Sequence, residues 1–317
     1  MELYKINIVP TGGFYTPIKG DTLFGMFCWT VAEIFGENRL TKLLNGYTEN
    51  APFIVLSDAF PSGYFPKPVL PFSYFKVLGD NKEPNAKERK KFKRREWVSA
   101  DKISLPTNQM FSDKEISEDK ELSFKEKSLK TANSVNPETN HASGGRYSAF
   151  TIDQLHYHGE WSIYAVMDET RITCEEIKQV FKQIGMTGYG KKASAGGGKF
   201  YVKDMIPESF KNQQVSALMT LAPCVPRPDE FDEKNSFYKI FVRFGKHGNI
   251  KAVSENPFKN PVLTMDTGAV LSPKSEIGKV PLFIGTGITN VSLIDDRTVF
   301  QGYAPVIGLT AKETVDE

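Results

Sequence analysis

Six of the 25 glycines fall between positions 185 and 198, in Gly185-Met-Thr-Gly-Tyr-Gly-Lys-Lys-Ala-Ser-Ala-Gly-Gly-Gly198, and Lys199 follows directly. Glycine admits positive φ and lets main-chain N–H groups approach a ligand closely, while Lys191, Lys192 and Lys199 bring positive charge. Gly188, Gly190, Gly196, Gly197 and Gly198 are therefore candidates for holding an anion, and phosphate is the natural one. Tyr189, between two glycines, offers a ring on which a nucleobase could stack. The alternative is a flexible connection whose lysines are merely solvated.

Two familiar phosphate loops do not fit. Rossmann and Walker loops run from strand to helix, so that phosphate meets the positive N-terminus of the helix. Here an amphipathic helix precedes the glycines and a strand follows, so the helix presents its negative end. The Walker spacing also fails, since position 193 is Ala and Lys199 is followed by Phe200. The pattern points away from a mononucleotide pocket and toward a polynucleotide.

Other candidates are weaker. Lys19, Gly20 and Asp21 stand where a strand turns into a helix; Lys19 could meet phosphate, while Asp21 suits an N-cap. Ser62, Gly63 and Tyr64 lie in a proline-punctuated loop that either lines a nucleic acid or shapes a rigid turn, and Lys67 follows as a possible phosphate ligand. His156 and His158 share a face if 155–159 is extended, but no neighbouring Cys or acid completes a metal set. His141 and Arg146, in a polar stretch, and Lys246 with His247, at an expected hairpin tip, suit nucleic-acid contact better than catalysis.

Those residues need a scaffold. Leu3 to Val9 alternates as a half-buried strand, and Leu23 to Phe35 is a broadly apolar helix that must bury against a sheet. Phe53 to Leu56 is a second strand, followed by the loop Ser57 to Pro68. From about Gly79 to Gly145 the chain is polar and without sustained periodicity, which marks an insertion. Lys82 to Arg95 holds eight basic and two acidic residues, whereas Asp113 to Lys127 holds six acids and four bases. The basic run is read as a solvated helix face. Glu160 to Met167 is a strand; Thr173 and Glu176 form a capping box ahead of Ile177, Val180, Phe181 and Ile184; Lys199 to Met205 returns as a strand.

The order β, α, β, insertion, β, α, β predicts an α+β fold with a ferredoxin-like first domain over 1–206, carrying a charged insertion at about 79–150. A β-rich second domain over 207–317 is expected from strands at Ser216–Leu221, Tyr238–Phe244, Val262–Met265, Val280–Ile284 and Thr298–Pro305. Three separated cysteines exclude a disulfide framework or a CxxC zinc pair, and point to a reducing compartment. The N-terminal residues lack a signal peptide's apolar core, and no apolar run approaches the roughly 20 residues of a membrane helix. A cytoplasmic protein with no membrane partner and no cofactor is expected. The formal charge of +2 says little about partners.

Leu3–Val9, Lys19-Gly20-Asp21-Thr22-Leu23-Phe24-Gly25, the run Ser57-Asp58-Ala59-Phe60-Pro61-Ser62-Gly63-Tyr64-Phe65-Pro66-Lys67-Pro68 and the glycine loop together resemble the RAMP superfamily. Within it they are most similar to the group containing the fourth subunit of type III-A CRISPR Csm effectors. Residues 245–250 and 300–305 fit the same group, leaving only 79 to about 131 without a counterpart. The resemblance implies two RRM-like domains and a non-catalytic subunit that binds the 5′ tag of the guide RNA (crRNA). It also implies docking between a large polymerase-like subunit and a repeated backbone subunit, with target RNA passing near the tag. A thumb-like hairpin inserted in the first domain is implied too. Asn133 to Thr139 resembles its start, so Asn133 and Asn136 join the candidates, although Pro137 stands where that pattern has Arg. The competing expectation is a metal-independent endoribonuclease that processes repeat RNA with a His general base, as some RAMP relatives do.

Overall fold

A computed structural model describes residues 1–75, 86–111, 123–136, 138–142, 148–210, 215–274 and 279–312. Strand β1 (Glu2–Pro10) leads through a glycine-bearing turn into α1 (Gly20–Phe35), which is followed by a short α2 (Glu37–Leu44) and β2 (Ile54–Pro61). After β3 (Tyr64–Pro66) come α3 (Ala86–Arg94), β4 (Trp97–Ser99), β5 (Lys125–Ala132) and β6 (Phe150–Tyr157). Then β7 (Trp161–Met167), α4 (Cys174–Thr187) and β8 (Phe200–Pro207) complete the first half.

Strands β2, β7, β1 and β8 form one antiparallel sheet in that order. Helix α1 buries Leu23, Phe24, Phe27 and Val31, and α4 buries Ile177, Val180, Phe181 and Ile184 at the expected 3.6-residue spacing. The two helices meet through Phe27 and Phe181, with ring centroids 5.9 Å apart. The capping box at α4 is present: Thr173 Oγ1 accepts from Glu176 N–H (3.2 Å), and the Glu176 carboxylate accepts from Thr173 N–H (2.9 Å).

The second half contains β9 (Ala217–Thr220), β10 (Asp232–Phe237), β11 (Ile240–Arg243), β12 (Val262–Met265), β13 (Val270–Ser272), β14 (Phe283–Ile288) and β15 (Phe300–Leu309). Five of them form an antiparallel sheet ordered β10-β13-β9-β15-β14, while β11 and β12 make a separate two-stranded ribbon. No α-helix occurs after Pro207 among the described residues. One packed core includes Ile6, Phe24 and Phe181 from the first half and Met219, Tyr303 and Ile307 from the second. The halves are also joined at a strand edge. The buried Gln301 side chain accepts from Leu56 N–H (2.9 Å) and donates to Leu56 C=O (2.8 Å), satisfying both main-chain groups as a neighbouring strand would.

Three features differ from the sequence reading. The run Ser57–Pro68 is not one loop: residues 57–61 continue β2 past an irregularity between Leu56 and Ala59, and 64–66 form β3. The polar segment conceals a regular hairpin, β5 against β6, in unbroken register from Lys125↔Tyr157 to Ala132↔Phe150. Finally, Asp21 is not the N-cap of α1, although its carboxylate accepts from Thr22 N–H in the first turn (2.8 Å). The helix begins at Gly20, whose N–H donates to Asp58 of β2 (2.8 Å), so the capping carboxylate comes from 38 residues away.

Candidate nucleic-acid interface

The register brings the end of β1 and β2 and the start of β7 and β8 to one rim of the first sheet, since Pro10 faces Phe200, Ile8 faces Trp161 and Pro61 faces Trp161. The glycine loop, the 11–19 turn and the 62–63 turn all spring from that rim. Turn and loop are laced together: Thr11 N–H donates to Lys199 C=O (2.9 Å), Gly198 N–H to Gly13 C=O (2.9 Å) and Lys191 N–H to Thr16 Oγ1 (3.0 Å). The turn at 11–16 is a partner the sequence reading passed over, although Gly12-Gly13 was its signal.

The glycines mostly let this loop fold on itself. Gly188, Gly190, Gly196 and Gly198 have φ of 101°, 73°, 83° and 70°. A Cβ on Gly188 would lie 2.3 Å from Gly197 C=O, and one on Gly198 would lie 2.1 Å from Tyr189 C=O. A Cβ on Gly197 would strike the Tyr15 ring at 2.8 Å. The expected amide cradle is therefore smaller than the glycines suggest. The N–H groups of Gly188, Tyr189, Gly190, Lys191 and residues 195–198 all donate within the protein. Lys192, Ala193 and Ser194 keep consecutive N–H groups without a protein acceptor among the described residues. Lys192 itself is left-handed (φ 60°), and the segment turns into a 3₁₀ turn at 193–195, so these groups form a nest of the kind that holds anions.

Lys191, Lys192 and Lys199 are exposed, and none is paired with a carboxylate among the described residues. Lys192 Nζ sits 5.8 Å from the centre of the Phe150 ring, an exposed aromatic at the start of β6. Phe14 N–H and C=O bond to Leu155 of the same strand (2.8 and 2.7 Å), so the hairpin is anchored beside the loop. Asn133, Asn136 and His141 lie beyond the last strand pair, where Asn136 N–H donates to His141 C=O (3.1 Å). Arg146 and Pro137 lie outside the described residues.

Several candidates have structural roles instead. Tyr189 is fully buried against Phe14, its hydroxyl donating to Pro17 C=O (2.9 Å) and accepting from Lys19 N–H (3.2 Å), so no face is free for a base. Lys19 Nζ lies 2.8 Å from Asp266 and 3.1 Å from Asp58. Burial alone would lower its pKa, but the two carboxylates reverse that and hold it charged above the ordinary lysine range. Gly20 packs its Cα onto β2, where a Cβ would meet Leu56 C=O at 2.3 Å. Asp21, buried, binds the Arg243 guanidinium through two hydrogen bonds. All three join the halves of the chain rather than face solvent.

Lys67 donates to Phe92 C=O in the last turn of α3 (2.5 Å) and covers the Phe92 ring at 4.3 Å, acting as a C-terminal cap for that helix. Burial, with Lys239 and Arg95 nearby, draws its pKa down to about 8. Ser62 and Gly63 form an exposed turn, where Gly63 (φ 81°) is needed for its backbone angle, while the Tyr64 ring packs on Phe124 at 4.8 Å. His247 is buried, with Nε2 on Ser292 Oγ (2.8 Å), and is not at a hairpin tip; Lys246 beside it is exposed. The remaining histidines face β5: His156 Nε2 is 3.1 Å from Ser128 Oγ, and His158 Nε2 is 3.6 Å from Glu126. No group of three metal-ligating side chains exists among the described residues, and no helix among them is long and apolar enough to cross a membrane.

The chain therefore has one rim with a small anion nest, unpaired lysines and an exposed ring on an adjoining hairpin. Comparison with known proteins bears on what such a rim serves. No curated protein matches the chain. Among solved structures, it is similar to a chain of the Csm3–Csm4 subcomplex in the type III-A CRISPR–Cas interference complex, with 15% identity and a TM-score of 0.60 over 98% of this chain and 99% of that one. It is also similar to a chain of the Csm1–Csm4 cassette in complex with AMPPNP, with 14% identity and a TM-score of 0.58 over 99% and 100%. At such identities the likeness is one of fold. A family model described as RAMP superfamily matches residues 8–201, more than half the chain, and the protein accordingly belongs to the RAMP superfamily.

Proposed function

We propose that this protein is the subunit of a type III-A Csm-like CRISPR complex that holds the 5′ tag of the guide RNA, joins the large subunit to the repeated backbone subunits, and performs no catalysis itself. The chain is read as a ferredoxin-like unit, 1–206, and a β-rich unit, 207–317, whose described residues lack the two helices that the expected second ferredoxin-like unit would need, acting in the cytoplasm. The strand order β2-β7-β1-β8 beneath two helices supports this for the first unit. The observation that carries the reading is the nest at Lys192–Ser194, with Lys191, Lys192 and Lys199 unpaired around it. Free amides fix a phosphate's position, and the lysines neutralise charge along a strand too long for one pocket. Phe150 supplies a ring for a splayed base, and the hairpin β5–β6 stands as the thumb between guide and target. Similarity to chains of Csm1–Csm4 and Csm3–Csm4 assemblies supports the two protein partners.

Replacing Lys191, Lys192 and Lys199 together with Gln is expected to weaken binding of tag-bearing RNA. It should also flatten the plot of log affinity against log salt by about 2, since each single-strand phosphate contact adds roughly 0.7 to the slope. Unchanged affinity and slope, measured by fluorescence anisotropy between low and physiological salt, would refute the reading.

One observation favours a second reading, a metal-independent endoribonuclease: His158 and Glu126 stand 3.6 Å apart, both exposed on the hairpin. Site-specific cleavage of repeat RNA that disappears in His158→Ala would establish it.

A further inference from the structure

Strand β8 begins where the glycine loop ends, and alternation divides its side chains between two faces. Phe200 and Val202 belong to the core, and the Phe200 ring lies against Gly185 of α4. Tyr201, between them, projects from the opposite face of the sheet, where it is 54% exposed. Its cross-strand partner in β1 is the half-buried Val9. The pairing continues past the strand ends, where Thr11 N–H donates to Lys199 C=O (2.9 Å). Lys199 and Thr11, two residues from Tyr201 and Val9, share their face, and both are exposed. A solitary exposed tyrosine needs no explanation. Here an unpaired ammonium group and a hydroxyl stand at the rim, with an apolar side chain and a ring next to them.

We infer that Tyr201 is a stacking platform for a nucleobase of the guide RNA, with Lys199 and Thr11 on the adjoining phosphate and Val9 beside the ring. The inference rests on the proposed function and extends its site from the loop onto the sheet, giving Tyr201 the role for which Tyr189 is too deeply buried. Two rises of about 3.3 Å separate Lys199 from Tyr201, within the reach of a single nucleotide. Lysine ammonium and threonine hydroxyl groups are ordinary phosphate contacts, and an aromatic face accepts any base. Strand β8 is at the edge of its sheet, so a splayed base can enter over the ring from the side. Farther along, Lys203 is held by Glu160, and Asp204, paired with Asn7 on the same face as Val9, accepts from the Asn7 amide (2.7 Å). The Asp204 carboxylate repels a following phosphate, which limits the patch to one nucleotide. These polar neighbours also leave too little apolar surface for the core of a protein contact.

The test uses the full-length chain and tag RNA carrying a fluorescent purine analogue at each tag position in turn. One position should be quenched on binding to the wild type. Tyr201→Ala is expected to restore that fluorescence and weaken affinity about tenfold, the loss of one stacked base. The salt dependence should not change, because no charge is removed. Tyr201→Phe, which keeps the ring, should retain both the quenching and the affinity. Ile206→Ala, on the same face and 41% exposed, should alter neither. Unchanged affinity and quenching in Tyr201→Ala would overturn the stacking role alone, as would an equal loss in Tyr201→Phe or Ile206→Ala. Failure of the wild-type chain to bind tag RNA would overturn the proposed function and this inference with it.

Discussion

Buried polar side chains explain more of this protein than its exposed ones. His247 illustrates it. Burial first, then the neighbouring Lys259 and Lys251, push its pKa below the ordinary histidine value, with Asp295 opposing. The folded state therefore keeps the imidazole neutral while the unfolded chain protonates near pH 6.5. Between those two values the unfolded state binds more protons, so stability falls as pH is lowered below about 6.5. The drop in urea midpoint from pH 7.5 to pH 5 should be smaller in His247→Gln than in the wild type; equal drops would show that His247 does not contribute. Tyr189 makes the same point from sequence. Flanked by glycines, it reads as exposed, and only the fold shows that the loop closes over it.

At the scale of elements, the glycine loop separates conformational need from packing need. Gly196 has φ of 83° with open space around its missing Cβ, whereas Gly198 has φ of 70° with Tyr189 main-chain atoms at 2.1 and 2.5 Å. Gly196→Ala should cost about 1 kcal/mol, the left-handed penalty for a residue with a side chain. Gly198→Ala should cost about 3 kcal/mol or more, because relief requires opening the loop. Chemical denaturation of both variants checks this, and similar losses would mean that the loop is not packed as described. Helix α4 was legible because its capping box and apolar spacing are local. The hairpin β5–β6 was not, since its strands Lys125–Ala132 and Phe150–Tyr157 are mostly polar on both faces and carry no period-2 burial signal.

Across the whole molecule, an ionic network joins the two halves. Asp21 pairs with Arg243, Lys19 with Asp58 and Asp266, and Thr267 Oγ1 donates to Asp58 (2.6 Å). Its members are up to 248 residues apart in sequence. Arg243→Met would leave Asp21 buried without its counter-charge, a change expected to cost about 3 kcal/mol or more. Calorimetry should show a single lowered transition if the shared core keeps the halves cooperative; two separated transitions would show that they unfold independently. Because Lys19 also donates its N–H to the Tyr189 hydroxyl, this network touches the base of the glycine loop. The second half thereby helps to shape a site built from the first.

The sequence by itself determined the elements whose signals are local: the first strand, both major helices, the glycine-lysine loop and the α+β class, each set by periodicity, caps and φ requirements within a few residues. Tertiary structure alone decided which of the loop's amides stay free, that Lys19, Tyr189 and His247 are structural, and that Tyr201 of β8 is left uncovered. Those outcomes depend on hydrogen bonds, ion pairs and packing between residues tens to hundreds of positions apart, and no local pattern encodes which partner a buried polar group will find.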